Sequence, residues 1–478
     1  MARMRPPGVR MLLFRRPVQD ELLDTAELTG LWVSFAVGAP LVLVGIRLMT
    51  GAAEGGLGLS GSQLLLVVPI GVLLGVGLLA AIAYASATIS ERTGVMVRPA
   101  LGMVGSYLFI PISVVFLVLW AAVELDVAGR SFAAAFELFD GPALNRSVGT
   151  IMVAVLAALF LYIGPQLLVR TWVKWFAFWV GLGVMLALVW RLVADLDLVL
   201  MLEQAPGAHF WLGVDLVVGA AVFFFPLVAD TARFAPDQSA AASSIGAGYG
   251  VPALIAVLLG GLAAAANGLT EPTPAGMVVD LFGSSAGVLG AVLALLWVVG
   301  GEADQPCAFL YSASTSIQTV VARVPIWVIG AVLVAVSAVL SLIVDSALWF
   351  ELIGLLLSVL IPVLGVFLAD FYFVRRRSYL SDSLYNLRGA YRGVNLYALP
   401  SLILGFALYQ WIAPSGPAGW VEFVEQLLPG GPPAETAGVP PVMITLAFVS
   451  ATRSSTERHL ALNSPAGIRW EVFMVIIL

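Results

Sequence analysis

The feature that most constrains this chain is a recurrence: an apolar run of about twenty residues, a short polar break, then another run. Such runs fall near 28–52, 64–87, 101–128, 148–169, 175–194, 211–229, 245–266, 286–311, 326–344, 349–373, 395–413 and 437–451. A helix needs about 20 apolar residues to cross a bilayer core, so twelve transmembrane spans are predicted. Backbone polar groups in hydrocarbon must be satisfied within the segment, which makes each span helical. With 60% hydrophobic and 11% charged residues and a mean hydropathy of +1.01, the 478-residue chain cannot be a soluble domain. The partner this implies is the lipid bilayer. One cysteine, Cys307, excludes an intrachain disulfide. The first apolar run is too long for the core of a cleavable signal peptide, so none is expected.

The basic residues test the span count. With the N-terminus inside, all but four of the 23 Lys and Arg residues fall on the inner side; the exceptions are Arg47, Arg130, Arg146 and Arg191. A wrong count would scramble that bias. Both termini are therefore expected in the cytoplasm, with the protein in the cell membrane. The basic residues sit in short loops rather than in a stripe, so no nucleic-acid partner is expected.

Two spans are interrupted. Span 1 reads LWVSFAVGAPLVLVG, with a break expected at Gly38-Ala39-Pro40, and span 6 carries FFFPLVADTARFA over 223–235, with a break expected at Pro226. Proline removes a backbone donor and clashes with the preceding turn. A broken helix at membrane depth persists only where it lines a cavity or is buried in protein. Breaks five helices apart point to an inverted repeat with its binding site between the halves. The reading is an all-α membrane protein of about twelve helices in a layout that resembles the LeuT type. Its parts are a tail (1–27), a first repeat (28–195), a second repeat (211–373), a cytoplasmic loop (374–394), two further spans (395–451) and a C-terminal tail (452–478).

Ionisable residues inside a span cost about 2.5–3.5 kcal/mol each on insertion scales, so each needs a reason. Span 3 ends LVLWAAVELDVAG, which puts Trp120 and Glu124 four apart on one helix face. An aromatic face beside a carboxylate suits a planar polar ring: the ring stacks on the indole, and Glu124 accepts from its N–H groups. The bland alternative is an interface tryptophan beside a snorkelling end residue. Span 8 carries GGEADQPCAFLYSASTSIQ, with Glu302, Asp304 and Gln305 at mid-span before Pro306. In a regular helix Glu302 and Gln305 share a face and Asp304 points away. Both acids reach one cavity only if this region unwinds; otherwise one serves substrate and the other a cation or proton. A polar pair holding helices together is the alternative. At the inner end of span 6, Asp230 and Arg233 read as structural or gating residues together with Pro226 and Pro306, while Phe223 and Phe224 supply apolar walls. His209 and His459 lie outside the spans. No metal spacing, nucleophile arrangement or phosphate loop appears, so no enzyme and no cofactor are expected.

At these residues the sequence resembles the nucleobase:cation symporter-1 family, in particular its cytosine and hydroxymethylpyrimidine permeases. PLVADTARFA (226–235) looks like the family's signature closing span 6. EADQPCAFLYSASTSIQ (302–318) looks like the acidic variant of its span 8 motif. IPVLGVFLADFYFVRRRSY (361–379) with YNLRGAYRGVN (385–395) looks like its span 10 ending and following loop. The likeness covers about residues 28–413. It implies a heterocyclic substrate held between spans 1, 3, 6 and 8. That places Phe35 and Gly38 of span 1 beside Trp120, Glu124, Gln305 and Glu302. Relatives often carry a second stacking aromatic in span 6, where this chain has Ala220 or Ala221; Phe223 or Phe224, a turn away, are the substitutes. The family's pattern has an amide where Glu124 stands here. In sodium-coupled members span 8 hydroxyls and span 1 carbonyls hold the ion, which here points to Ala36, Glu302 and Asp304 and leaves Na+ or H+ as the coupling cation.

The function expected is cation-coupled import of a nucleobase or pyrimidine-like ring by alternating access, with spans 1, 2, 6 and 7 moving against spans 3, 4, 8 and 9. An amino-acid carrier of the same layout is the alternative. It calls for a glycine-rich unwound span 1, whereas this one holds only Gly38 and Gly45. A membrane enzyme or channel lacks both a catalytic constellation and a reason for the breaks.

Overall fold

A computed structural model of the chain describes residues 22–51, 55–139, 144–195, 207, 209–267, 273, 277–278, 281–282, 288–344, 346–386 and 388–430. The expected twelfth span at 437–451, most of the N-terminal tail and the C-terminal tail lie outside these. The helices, in order, are α1 (Thr25–Ala36), α2 (Ala39–Met49), α3 (Gly61–Ile89), α4 (Met103–Glu137), α5 (Arg146–Ile163) and α6 (Pro165–Trp190). They continue with α7 (Phe210–Val222), α8 (Phe225–Ala232), α9 (Gln238–Ala266), α10 (Val288–Glu302), α11 (Gln305–Gln318), α12 (Ile326–Ile343), α13 (Leu348–Val374), α14 (Leu399–Ile412) and α15 (Ala418–Leu427). Among the described residues nine helical stretches are long and apolar enough to cross a membrane, and α1 with α2 makes a tenth, bent by 46°. α14, shorter but apolar, is span 11.

Among the described residues three spans are interrupted, each in the same way: α1–α2 at Val37-Gly38, α7–α8 at Phe223-Phe224, and α10–α11 at Ala303-Asp304. In every case the second half restarts with a proline in its second position: Pro40, Pro226 and Pro306. A proline there lacks only an N–H that the first helical turn leaves unpaired anyway. The break therefore lies upstream of the proline, not on it. That shifts the expected position in span 6 from Pro226 to the two phenylalanines before it. In span 8, Gly300 and Gly301 stay helical.

Two expected span limits also move. α9 starts at Gln238 because the Asp237 side chain accepts from the Ala240 N–H at 2.8 Å and caps it. α4 runs on to Glu137, well past 128, because Asp126 pairs with Arg130 at 2.8 Å and with Arg146, which makes the charge tolerable beyond the apolar run.

The helices sort into two packed groups. α2 lies along α9, and α3 packs on α7, α8 and α9; this group holds spans 1, 2, 6 and 7. α4 packs on α5, α10, α11 and α12, and α12 also packs on α5; this group holds spans 3, 4, 8 and 9. Close helix approach depends on small residues. A Cβ on Gly45 would lie 1.9 Å from the Val257 carbonyl oxygen, and one on Gly260 would lie 1.9 Å from that of Val42. The loop after α13 clasps the short link between α3 and α4. Asn395 donates to the Ala100 carbonyl at 2.7 Å, Arg98 donates to the Leu384 carbonyl at 2.8 Å, and Tyr385 bonds to Glu91. Burial, with Glu91 alongside, pushes the Tyr385 phenol above its ordinary value.

Candidate substrate and cation site

The breaks of spans 1 and 8 meet directly, and the span 6 break reaches both spans through Phe224. Gly38 packs directly on the span 8 break: a Cβ there would sit 2.3 Å from Gln305 Nε2, 3.1 Å from Glu302 Oε1 and 3.3 Å from the Gly301 carbonyl. A larger residue there would force the Gln305 side chain to move aside. The freed backbone of span 1 is taken up by span 8. Trp297 Nε1 donates to the Val37 carbonyl at 2.7 Å, and Glu302 accepts the N–H of Ala39, the first residue of α2. Gln305 Nε2 donates to the Gly301 carbonyl at 2.9 Å, bridging its own break.

Span 3 forms the facing wall. Trp120 Nε1 donates to Glu124 Oε1 at 3.1 Å, so the face shared at a spacing of four is a joined pair. The Glu124 carboxyl faces that of Glu302. Glu124, Glu302 and Asp304 are 0%, 1% and 0% exposed, so water does not solvate them. Oε2 of Glu124, Oε2 of Glu302 and both oxygens of Asp304 have no hydrogen-bond donor. Asp304, one break residue after Glu302, faces the other way. It lies beside Ser34 of α1, whose hydroxyl donates to the Leu31 carbonyl at 2.8 Å. It also lines a cavity of about 40 Å³ with Phe35, Cys307, Tyr311 and Asp230. The span 8 break thus unwinds as one reading required, yet sends its two acids to different places.

Aromatic rings fill the space between the breaks. Phe223, in the span 6 break, lies 4.5 Å from the Trp120 ring, tilted 36°. Phe224 stacks on Phe35 at 5.7 Å and 12°, and on Phe309 at 5.8 Å and 11°. Of the span 6 substitutes, Phe223 therefore joins Trp120 while Phe224 joins span 1. Ala220 and Ala221 face elsewhere. The Ala220 carbonyl accepts from the Tyr249 hydroxyl, and Ala221 packs where a Cβ on Gly75 would come within 2.9 Å. Ala36 is buried in the last turn of α1. Phe309 and Trp297 were not singled out by sequence reasoning. Trp297 is a lone aromatic in an apolar run, and Phe309 is one of two aromatics in α11, with nothing local to separate either from ordinary core.

The C-terminal end of span 6 is a hydroxyl cluster. Asp230 accepts from Thr93 at 2.8 Å, Ser312 at 2.6 Å and Thr315 at 2.9 Å. Ser312 also reaches the Pro226 carbonyl at 2.9 Å. Arg233 donates to the Tyr311 hydroxyl at 2.6 Å and lies 4.6 Å over the Phe234 ring. Asp230 therefore ties α8 to α11 through hydroxyls, and Pro306 sits in the first turn of that same α11.

A buried polar site where three interrupted helices of two repeats cross, within a wholly helical membrane scaffold, defines a multi-pass membrane transporter of the LeuT-type fold. The chain belongs to the family of permeases for cytosine/purines, uracil, thiamine and allantoin, whose model matches residues 25–429. Family members are transporters, not enzymes. Among solved structures the fold is similar to Mhp1, a nucleobase-cation-symport-1 family transporter, in a closed conformation with bromovinylhydantoin bound. The identity is 17% over 93% of this chain and 96% of that one, at a TM-score of 0.71. The inward-facing conformation of Mhp1 matches at 17% identity, over 93% and 95% of the two chains, with a TM-score of 0.66. The manganese transporter of Eremococcus coleocola matches at 12% identity, over 89% and 95%, with a TM-score of 0.52. No curated protein sequence matches the chain.

Proposed function

We propose that this chain is a cell-membrane secondary transporter that imports a planar nitrogen heterocycle of the cytosine or hydroxymethylpyrimidine type together with a cation, Na+ or H+. The observation that carries this reading is the joined Trp120–Glu124 pair, facing Glu302 and walled by Phe223. A flat ring entering there gains an aromatic face. Its N–H or amino donors gain the carboxylate oxygens that have no donor of their own. Asp304, turned away toward Ser34 and Cys307, is the residue for the coupling charge. One charge crossing at 100 mV supplies about 2.3 kcal/mol, enough to concentrate a solute roughly fifty-fold.

The two packed groups supply the moving parts, with spans 1, 2, 6 and 7 turning against spans 3, 4, 8 and 9 about the breaks. Both termini lie in the cytoplasm in this reading. Family membership supports the substrate class, and the likeness to Mhp1, solved with bromovinylhydantoin bound, supports a heterocycle. The test is uptake of radiolabelled cytosine, hydroxymethylpyrimidine, uracil and hypoxanthine into cells expressing the protein. It is run with and without sodium, and beside Trp120→Ala and Glu302→Gln. Saturable uptake of one ring, lost in both variants, is the expected result, and its sodium dependence identifies the ion. Absence of uptake for every ring, with the protein present in the membrane, overturns the reading.

A further inference from the structure

The substrate site has an unusual charge balance. Glu124 and Glu302 face one another directly at its centre, fully buried. No arginine, lysine or histidine pairs with either among the described residues: the ion pairs there are Asp126 with Arg130 and Arg146, Glu27 with Arg170, and Asp370 with Arg375. Burying an unpaired carboxylate is costly, so two of them facing one another call for a positive charge, a shared proton or a bound cation. A small metal ion does not serve all the acids at once, because among the described residues no group of three or more His, Cys, Asp or Glu is placed to hold one. Asp304, the third acid, lies on the far side of the break.

The shape of the missing charge can be read from its surroundings. One oxygen of Glu124 is taken by the Trp120 indole and one of Glu302 by the Ala39 N–H. The second oxygen of each is buried without a donor. Beside them stand the faces of Trp120 and Phe223, with Phe309 behind at 5.9 Å from Phe223. A compact, strongly hydrated ion gains little from aromatic faces. A flat delocalised cation gains from both kinds of wall: its face lies over the rings, and its in-plane N–H groups reach the carboxylates.

Resting on the function proposed above, we infer that the preferred substrate is a positively charged planar nitrogen ring, an aminopyridinium or aminopyrimidinium type, held between Glu124 and Glu302. Asp304 is left free for the coupling ion. The substrate is in this view the counter-charge of the site, and the empty site is the less stable form.

The test compares two probes of one shape: the N-methylated para-aminopyridinium ion, permanently charged, and para-toluidine, its neutral counterpart with the same amino and methyl groups. Binding to the purified full-length protein is measured by calorimetry, with cytosine and uracil as neutral nucleobase controls. The cation is expected to bind more than about tenfold tighter than para-toluidine. Glu124→Gln is expected to erase that preference, so that the two probes then bind alike. Equal binding of the two probes, or a preference for the neutral one, overturns the inference. If cytosine or uracil then still binds, the heterocycle reading stands and protons supply the missing charge. Failure of every ring to bind a folded protein removes both readings. Thermal unfolding gives a second readout that needs no ligand. Glu124→Gln and Glu302→Gln should each raise the melting temperature of the empty protein, and a fall in both overturns the inference.

Discussion

Glu302, the last residue of α10, accepts the backbone N–H of Ala39, the first residue of α2, so one broken span caps another. A carboxylate at a helix start meets both the free N–H groups and the positive end of the helix dipole. The contact exists only because Gly38 lets the two breaks touch. Gly38→Ala would place a methyl 2.3 Å from the Gln305 amide and 3.1 Å from Glu302. The Gln305 side chain can turn away, but it then loses its bond to Gly301. The expected outcome is a destabilisation of about 1–3 kcal/mol, seen in thermal unfolding, together with loss of substrate uptake. Wild-type uptake in Gly38→Ala would show that the breaks need not touch.

Trp120 serves by its face and by its N–H, and the two can be separated. Trp120→Phe keeps a ring against Phe223 but removes the donor to Glu124 Oε1. Loss of a hydrogen bond to a charged group costs about 1.5–3 kcal/mol, so affinity for substrate is expected to change at least about tenfold. Because Glu124 then has both oxygens free, a donor-rich ring should bind tighter relative to a donor-poor one than in wild type. Trp120→Ala loses both rings alike. An unchanged ratio in Trp120→Phe would mean that Glu124 does not meet the ring.

Asp230 crosses between the two packed groups: it belongs to span 6 and binds Ser312 and Thr315 of span 8, as well as Thr93. Ser312 and Thr315 have alternative acceptors in the Pro226 and Ser312 carbonyls, at 2.9 Å each. Asp230→Ala therefore strands chiefly Thr93, and a stability loss of about 1–3 kcal/mol is expected. Asp230→Asn keeps an acceptor and should recover most of it. Transport rate, rather than substrate affinity, should fall in Asp230→Ala, because the residue lies away from Trp120 and Glu124. A change confined to affinity would instead place Asp230 in the substrate site.

How much of this was legible in the sequence differs by residue. The spans could be read because lipid demands long apolar runs, and the repeat because Pro40 and Pro226 recur five helices apart. Trp120 and Glu124 could be paired from a spacing of four on a regular helix. The exact breaks could not be read. A proline reads as the site of a break, whereas in Pro40, Pro226 and Pro306 it begins the next helix and the break precedes it. Glu302 and Asp304 could not be assigned either. Their directions depend on the unwound turn between them, and periodicity says nothing once the helix stops. Phe309 and Trp297 acquire their roles only from what folding brings beside them, Phe224 and the Val37 carbonyl.

The first half of span 1 is strapped shut at its N-terminal end. Arg170, at the start of span 5, reaches Glu27 at 3.1 Å and the Leu22 carbonyl at 2.8 Å, while the Leu23 N–H donates to the Phe234 carbonyl at 2.9 Å. Behind this strap lies the cavity lined by Asp304 and by Cys307, the chain's single cysteine, which is 4% exposed. The Arg170 side chain is 41% exposed and that of Glu27 12%, so solvent weakens the ion pair to at most about 1 kcal/mol. The bond to the Leu22 carbonyl adds to it. Arg170→Ala is then expected to raise the rate at which a membrane-permeant maleimide labels Cys307 severalfold, up to about tenfold, at 1.4 kcal/mol per decade. Arg170→Lys, which keeps the charge but not the fork, should fall between. High salt should raise labelling in wild type and leave Arg170→Ala unchanged, since only wild type has the pair to screen. Cys307→Ser gives the background. An identical labelling rate in wild type and Arg170→Ala would show that span 1 is held closed by packing alone.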